Sequence, residues 1–402
     1  MIRHLLKLVW NRKRANVLIM IEIFISFLVL FAVVAIGMYY LDNYRKPLGF
    51  SYENVWTIRI STTVDLFERP NTVFPEIREE YHQVELAIQA LPAVESFAAA
   101  RVVPYSDYAY GPAHMKLNNQ EFMCGINLAG DNFKDVMGLQ IVRGRWFEKS
   151  DDGLNFQPVV VNQKFARQVF GDEDPIGKKL EASFFGNKEP RIVGVITDFR
   201  KEGEFSALEP YAIYRASISH DSINPLLFIA VKVRAGTTRA WEEKLMTALA
   251  GAAREWSFDI QSLSELRKDM LEGQLGLVLA WASVSGFLML MVGLGLVGVL
   301  WQSVTQRTKE IGLRRAKGAT AGDIYIQILG EIFIITSMGL IAGLLVVVQF
   351  PLLNLLGFLS GKVYIASIVV SMALIYLLTF MCGLYPSHLA TKVHPAEALH
   401  YE

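Results

Sequence analysis

Four long apolar stretches dominate the pattern of hydrophobic and polar positions along the chain. They cover residues 17–40, 275–301, 324–350 and 363–385. Each is long enough to cross a bilayer, which takes about 20 residues of helix. Basic residues precede the first stretch, but its apolar core is too long for a signal peptide and no small-x-small cleavage site follows it. The pattern therefore predicts four membrane-spanning helices, all of them retained.

The long polar segment between the first and second spans, residues 41–274, has the size of one or two domains with their own cores. It begins with a strand pattern, a helical pattern and a second strand pattern, and this order returns near its end. The six predicted elements are residues 55–60, 74–91, 94–103, 226–233, 239–253 and 258–263. Two such units on either side of a middle stretch indicate a split domain with an insertion.

A helix is expected where this segment meets the second span. Ser262 and Glu265 have the spacing of a capping box, and apolar residues at helical spacing follow them. No proline interrupts residues 262–301. We therefore predict a helical stalk over residues 262–274, which would transmit motion where a flexible linker would not.

The composition agrees with a membrane protein that carries a large water-soluble part. Of the 402 residues, 52% are hydrophobic and 19% are charged, whereas soluble domains average about 25% charged residues. The 39 basic and 39 acidic residues cancel, which excludes a strongly basic nucleic-acid binder. Cys124 and Cys382 lie too far apart in sequence to indicate a disulfide framework or a zinc motif.

The distribution of charge predicts the topology. Residues 1–16 carry five basic and no acidic residues, and the loop 302–323 carries five basic and two acidic residues. Acidic residues are in excess in segment 41–274. By the positive-inside rule, both clusters and the tail 386–402 are cytoplasmic, whereas segment 41–274 and the short loop 351–362 lie outside.

Motifs for nucleotides, metals and catalysis give no assignment. The glycine-rich stretch at residues 171–178 has the wrong spacing for a phosphate loop, and the seven histidines form no metal-ligand pattern. No catalytic set can be assembled from the spacing, so no catalytic residue is assigned. Gly293, Gly339 and Gly343 lie inside spans and indicate close helix packing, either within the chain or in a dimer.

Two acidic residues, Glu22 and Glu331, lie inside predicted spans, where a charge is costly and usually has a role. Both are near the cytoplasmic ends of their helices. Basic residues at 12–14 and 314–317 are close enough to snorkel or to pair with them. A structural role at the interface is favoured over a proton path.

The loop between the second and third spans is the most informative stretch. Residues 306–316 predict a short helix that ends at Gly318, and Thr320 with Asp323 suits the start of the next helix. Such a basic helix could bind anionic lipid headgroups. An acid and two apolar residues interrupt its charges, however, and this pattern favours a protein contact.

Several segments carry a family resemblance. They are TKEIGLRRAKGAT (308–320), GLQIVRGRWF (138–147), VFGDEDPIGKKL (169–180), IVGVITDF (192–199) and the tail from Tyr385. Through them the chain resembles the MacB/FtsX-type permeases, the membrane subunits of a class of ABC transporter. The first segment resembles the family's cytoplasmic coupling segment, and the next three resemble its extracytoplasmic domain. The resemblance covers nearly the whole chain.

The resemblance implies a polytopic α-helical membrane protein with four transmembrane helices and a large α+β extracytoplasmic domain. That domain is expected to have a porter-like βαβ subdomain, residues 48–110 and 206–262, with a mixed α/β subdomain inserted at residues 111–205. The implied location is the bacterial cytoplasmic (inner) membrane, with both termini in the cytoplasm and residues 41–274 in the periplasm.

The resemblance also implies a permease that couples ATP hydrolysis to conformational work outside the membrane, without being an enzyme itself. ATP and magnesium would be bound by a separate ATPase subunit, since the first span begins at Val17, and this chain would bind no cofactor. The expected ATPase-coupling residues are Arg307, Lys309, Glu310, Ile311, Gly312, Arg314, Arg315 and Gly318.

The expected partners are the ATPase, a second permease chain that is identical or paralogous, membrane lipid, and a periplasmic adaptor or enzyme. Nucleic acid is not expected. The leading expectation is efflux or extraction of a peptide, a drug or a lipoprotein. Activation of a cell-wall hydrolase, and a membrane-anchored scaffold or receptor without an ATPase, are the alternatives. The sequence does not identify the cargo.

Overall fold

The computed structural model describes residues 13–61, 75–106, 113–117, 120–180, 188–216, 228–353, 355 and 357–391. Predictions for residues 1–12 and for the tail beyond residue 391 lie outside the described residues. The chain divides into two compact units. We call them the membrane unit (Met1–Asp42 with Leu275–Glu402) and the outer unit (Asn43–Gln274).

Long helices dominate the membrane unit, and strands and helices are mixed in the outer unit. In chain order the helices are α1 (Lys13–Tyr44), α2 (Pro75–Gln89), α3 (Phe133–Met137), α4 (Gln163–Phe170), α5 (Ala240–Ala252), α6 (Leu263–Thr305), α7 (Thr308–Ala316), α8 (Ala321–Val347), α9 (Gln349–Leu352) and α10 (Gly361–Thr391). The strands are β1 (Val55–Ser61), β2 (Val94–Ala100), β3 (Ala113–Leu117), β4 (Gln120–Ala129), β5 (Ile141–Gly144), β6 (Phe156–Asn162), β7 (Glu189–Ile196), β8 (Tyr211–Arg215), β9 (Phe228–Val233) and β10 (Ser257–Ser262).

The prediction of four membrane spans is confirmed. The helices α1, α6, α8 and α10 are each long and apolar enough to cross a membrane. The capping box at the start of α6 is formed, because Glu265 N donates to Ser262 Oγ (3.1 Å) and Ser262 N donates to Glu265 Oε2 (3.1 Å). From there α6 is one helix to Thr305, so the stretch predicted as a stalk is helical.

Glycines allow close packing between the first and third spans. A Cβ atom at Gly339 would lie 2.9 Å from Ile23 Cγ2, and one at Gly343 would lie 2.4 Å from Phe27 Cδ1. Ile23 and Phe27 belong to the apolar core of the membrane unit. The face formed by the two glycines is therefore filled by α1 of the same chain.

One mixed sheet of ten strands runs through the outer unit. Its order is β10-β1-β9-β2-β4-β8-β6-β7-β5, and β3 pairs with β4 beside this path. The first four strands come from the two predicted strand–helix–strand units. The helices α2 and α5 pack against them around an apolar core that includes Trp56, Ile58, Val84, Leu245 and Trp256.

The strands β4 to β8 form the other part of the sheet. β4 runs parallel to β8, and β6 runs parallel to β7. Their own core includes Val159, Phe165, Ile192 and Tyr214. One register pair, Ala100 with Ala129, joins this part to β2. Besides these two cores, a third apolar core spans both parts of the sheet and includes Ala100, Ile213 and Phe228.

The place of β8 differs from the sequence-based assignment, which puts residues 206–262 in the porter-like subdomain. β8 lies between β4 and β6 instead. Asn162, at the end of β6, explains this position. Its Oδ1 accepts a hydrogen bond from Tyr211 N (2.9 Å), and its Nδ2 donates one to Glu209 O (2.7 Å). This side chain holds the start of β8 beside β6.

Candidate functional site

The short helix α7, between the second and third spans, carries the residues predicted for coupling. It begins at Thr308, slightly later than the predicted residue 306. Gly318 follows it with a φ of +99°, a conformation that favours glycine. The predicted capping box then starts α8, because Asp323 N donates to Thr320 Oγ1 (3.2 Å) and Thr320 N donates to Asp323 Oδ2 (2.9 Å).

One face of α7 packs on its own bundle. Ile311 is buried in the core of the membrane unit, and Gly312 is buried beside it. These two residues of the predicted coupling set are therefore anchors of the helix in the bundle rather than surface groups.

The opposite face of α7 is exposed. Lys309 and Leu313 are four residues apart on one side of the helix, and the exposed Lys317 follows at the same spacing just after its last residue. Leu313 is 48% exposed. We call these three residues the outward stripe. The predicted coupling set omits Leu313 and Lys317, although the four-residue spacing from Lys309 could have indicated them.

A chain of hydrogen bonds, which we call the latch, joins α7 to α8. Arg307 Nη1 donates to Glu331 Oε2, and Gln327 Nε2 donates to Glu331 Oε1 (3.0 Å). Arg314 Nη1 donates to Gln327 Oε1, and Arg314 Nη2 donates to Glu310 Oε1 (2.7 Å). Glu331 is only 5% exposed. A buried carboxylate without a partner is strongly unfavourable, so Glu331 needs a nearby cation. Arg307 supplies it, and this requirement fixes the position of α7 beside α8.

The cation that pairs with Glu331 differs from the sequence-based expectation of a basic residue at 314–317. Arg307, which immediately precedes α7, makes this contact, and Arg314 reaches Glu331 only through Gln327. Gln327 and Glu331 are four residues apart, so both lie on the same face of α8. Gln327 is one turn nearer the start of the helix, so Arg314 binds Gln327 instead of Glu331.

Arg315 binds the last span. Its Nη1 donates to Thr391 O (2.6 Å), at the final residue of α10. Carbonyls at a helix carboxyl end lack intrahelical partners and carry partial negative charge, so a guanidinium there is stabilising. The three arginines of the predicted coupling set, Arg307, Arg314 and Arg315, therefore all bind groups of their own chain.

The other intramembrane acid, Glu22, lies against α6. A Cβ atom at Gly295 would be 2.2 Å from Glu22 Oε1, so the glycine makes room for the carboxylate. At Gly293, also on α6, a Cβ atom would lie 3.7 Å from Cys382 Sγ on α10. The side chains of the basic residues 12–14, expected near Glu22, are not among those that the structure describes.

Several charged groups of the outer unit form ion pairs. Arg215 is buried and binds Asp131 (2.7 Å from Nε to Oδ1) and Asp152 (2.6 Å from Nη1 to Oδ1). Burial alone raises the pKa of Asp151, but hydrogen bonds and charge from Arg145 outweigh it, and the pKa lies below its usual value. Among the described residues, no group of three or more His, Cys, Asp or Glu side chains could hold a metal ion.

Two family models match successive parts of the chain. Residues 17–248 match the MacB-like periplasmic core domain, and residues 282–395 match the FtsX-like permease C-terminal domain. The first match covers the first span and most of the outer unit. The second covers most of α6 and the helices that follow it, including α7.

Individual relatives agree with these matches. The chain is 28% identical over 274 residues to the macrolide export ATP-binding/permease protein MacB of Bdellovibrio bacteriovorus, covering 64% of this chain and 41% of that protein. It is 24% identical over 413 residues to the uncharacterized ABC transporter permease YknZ of Bacillus subtilis, covering 100% of this chain and 98% of that one. The solved periplasmic region of MacB from Actinobacillus actinomycetemcomitans covers 55% of this chain and 93% of its own, at 16% identity and a TM-score of 0.36. The chain thus spans about two fifths of the MacB relative's length.

Proposed function

Because this chain belongs to the MacB/FtsX-type permeases of ABC transporters, we propose that it is the subunit that couples ATP hydrolysis by a separate ATPase to movement of its outer unit. The observation that carries the proposal is the two-sided character of α7. One side presents the outward stripe, and the other is fixed to α8 by the latch. A push on the stripe would therefore move α8, whereas a loose loop would only bend.

The outward stripe is the proposed docking surface for the ATPase. Two cations, Lys309 and Lys317, flank the exposed Leu313. This arrangement suits an apolar pocket with an acidic rim on the partner, because interfaces combine an apolar centre with complementary charge around it. ATP and magnesium bind to the partner in this proposal, and the present chain contributes no catalytic group.

The four apolar helices and the family are those of an inner-membrane protein. We further propose that α7 and both termini are cytoplasmic and that the outer unit is periplasmic. The support is the charge distribution, with basic residues dense in 1–16 and 302–323 and acidic residues in excess in 41–274. This orientation puts α7 on the side of the membrane where ATP is present.

A second permease chain, identical or paralogous, is also part of the proposal. Among the four membrane helices, α6 buries the smallest share of its apolar stretch. Its exposed side chains include Leu279, Phe287 and Leu294. A partner helix against α6 would cover these residues and would give each ATPase subunit of a pair its own α7.

The work is proposed to take place outside the membrane, as efflux or extraction of a peptide, a drug or a lipoprotein. The spans of α1, α8 and α10 are strongly apolar, with mean hydropathies of 3.0, 2.4 and 2.4, which does not suit a wide polar path for a substrate. Export is the activity in the name of the MacB relative, and we extend only this class of work to the present chain.

Co-purification with the tagged full-length chain tests the proposal. We expect Leu313→Ser to lower the amount of retained ABC ATPase about tenfold, which corresponds to about 1.4 kcal/mol of binding free energy. Leu353→Ser is the matched control, because Leu353 is also an exposed leucine of the membrane unit but lies away from α7. An ATPase that stays fully bound to L313S and to K309E/K317E would contradict the docking surface.

A further inference from the structure

A segment of the outer unit at residues 199–206, between β7 and β8, carries two buried charged residues, Arg200 and Glu204. We call this segment the clasp. Its Arg200 is the largest fully buried side chain among the described residues, at 1% exposure. Burial of a guanidinium is unfavourable unless its donors are engaged. The partners of the clasp therefore show which elements it holds in place.

The clasp binds the carboxyl-terminal end of α1. Arg200 Nη1 donates to Asn43 O (2.5 Å), and Asn43 Nδ2 donates to Phe205 O (3.2 Å). The ring of Tyr44 stacks on that of Phe205 with a centroid distance of 5.6 Å. Carbonyls in the last turn of a helix have no intrahelical partner, so Arg200 caps α1 with a positive charge.

The clasp also binds the first turns of α6. Arg267 Nε donates to the buried Glu204 Oε1 (2.5 Å), and its guanidinium lies 4.6 Å from the centroid of the Tyr52 ring. Farther along α6, Gln274 Nε2 donates to Glu202 O (3.4 Å). Burial lowers the pKa of Arg267, but the hydrogen bond and charge of Glu204 raise it above its usual value. The Glu204 carboxyl group therefore stabilises the charged guanidinium of Arg267.

The clasp is itself anchored to the rest of the outer unit. Arg200 N donates to Leu48 O (2.9 Å), and Tyr105 N donates to Lys201 O (3.0 Å). Gly203 has a φ of +87°, and a Cβ atom there would lie 2.9 Å from Tyr105 Cε1. This turn therefore favours glycine, and it lets Arg200 Nη1 donate also to Glu204 O (3.1 Å), which closes the segment on itself.

We propose that the clasp is a joint that makes α1 and α6 move together, with Arg200 and Glu204 as its positioning residues. The chain passes between its two units at residues 42–43 and 274–275, within these two helices. The clasp holds both just on the outer side of these crossings. A shift of one helix is therefore transferred to the other and to the outer unit. The role of the joint in transport rests on the proposed function, whereas the joint itself does not.

Glu204→Ala in the full-length chain tests the joint. Without the carboxylate, Arg267 loses its partner on the clasp. We expect amide hydrogen exchange at residues 41–46 and 263–274 to become at least tenfold faster. In the complex with its co-purified ATPase, the hydrolysis rate should stay normal, but the change that ATP and magnesium cause in the exchange of the outer unit should fall at least threefold. The reversed pair E204R/R267E should regain much of both.

Asp131→Ala is the control for a purely structural effect. It removes a partner of the buried Arg215, in the same unit but outside the clasp. It should speed exchange near β8 and leave the ATP-dependent change in the rest of the outer unit at the wild-type level. If D131A reduces that change as much as E204A does, the effect belongs to general destabilisation and the proposal is overturned.

Two further results would also overturn the proposal, one by contradicting the joint itself and the other by contradicting its role in transmission. Unchanged exchange at residues 41–46 in E204A would show that the clasp does not hold α1 and α6 together. Faster exchange with a normal ATP-dependent change would remove its role in transmission while leaving the permease function intact. Failure of the proposed function gives a different result, because the wild-type chain would then retain no ATPase. Hydrogen exchange of the chain without ATPase would still test whether the clasp holds α1 and α6 together.

Discussion

The latch and the clasp each hold helices in place through a buried glutamate and its arginine partner, the latch in the membrane unit and the clasp in the outer unit. They differ in how far apart in the sequence their residues lie. Each pairs an arginine with a glutamate that is 5% exposed, Glu331 in the latch and Glu204 in the clasp. In the latch, Arg307 and Glu331 are 24 residues apart on consecutive elements. In the clasp, Arg200 reaches a main-chain carbonyl 157 residues away. The first is a local arrangement of helices, whereas the second exists only once the outer unit has folded.

The surroundings of the two clusters also differ. Isoleucines surround the latch, among them Ile311, Ile328 and Ile332, so its charges have few alternative partners. In the clasp, Arg267 is 28% exposed, so it can regain water if its partner is removed. The loss of one charge should therefore cost more in the latch than in the clasp.

The largest effect is expected for Glu331→Ala. It leaves Arg307, whose side chain is only 14% exposed, without a counter-ion, which costs about 3 kcal/mol of unfolding free energy. Denaturant unfolding of the full-length chain in detergent measures it. The control is Glu310→Ala, whose partly exposed i, i+4 pair with Arg314 is worth only about 0.5 kcal/mol. The double variant R307M/E331M should recover most of the loss, and equal losses in E331A and E310A would contradict the description of the latch.

Glu204→Ala should have a smaller effect on stability. The lost hydrogen bond between charged groups is worth about 2 kcal/mol, because Arg267 keeps both water and the Tyr52 ring. The same unfolding measurement, compared directly with E331A, tests the ranking. Lys268→Ala, which breaks an exposed pair with Glu272 on the same helix, is the control and should change little. A larger loss in E204A than in E331A would reverse the comparison.

The sequence could predict the latch in part because its residues lie on regular helices. The four spans, the helix at α7, the stop at Gly318 and the capping box at Thr320 all follow from local patterns. The inward face of α7 does not follow. Ile311 and Leu313 are two residues apart and lie on nearly opposite sides of a helix. Only packing against the bundle decides that Ile311 is buried and Leu313 exposed.

The clasp, by contrast, could not be predicted from the sequence. It has no periodicity, and except for Glu204 Oε1 the acceptors named above are main-chain carbonyls, which every residue possesses. The place of β8 was missed for a related reason, since it depends on one side chain, Asn162, from a strand about 50 residues earlier. The predicted strand–helix–strand units did form, because periodic burial of apolar residues is a local signal.

The smallest of these effects is expected for Gly343→Ala, which tests how tightly the bundle around the latch is packed. The new methyl group would lie 2.4 Å from Phe27 Cδ1, so that ring must shift, at a cost of about 1–2 kcal/mol. The control is Gly286→Ala on α6, where a Cβ atom meets nothing within 4 Å. That change should be neutral or slightly stabilising, because alanine favours helix. Equal behaviour of the two variants in detergent unfolding would show that α1 and α8 are not closely packed.

The central claim is that the latch passes movement of α7 into the rest of the chain. It is tested most directly in Glu331→Gln, which keeps the shape of the side chain but removes the charge that holds Arg307. The measurement is hydrogen exchange of the outer unit in the complex with the ATPase, with and without ATP and magnesium. We predict that E331Q assembles and hydrolyses ATP like the wild type, while the ATP-dependent change in the outer unit is largely lost. A full ATP-dependent change in E331Q would contradict the account.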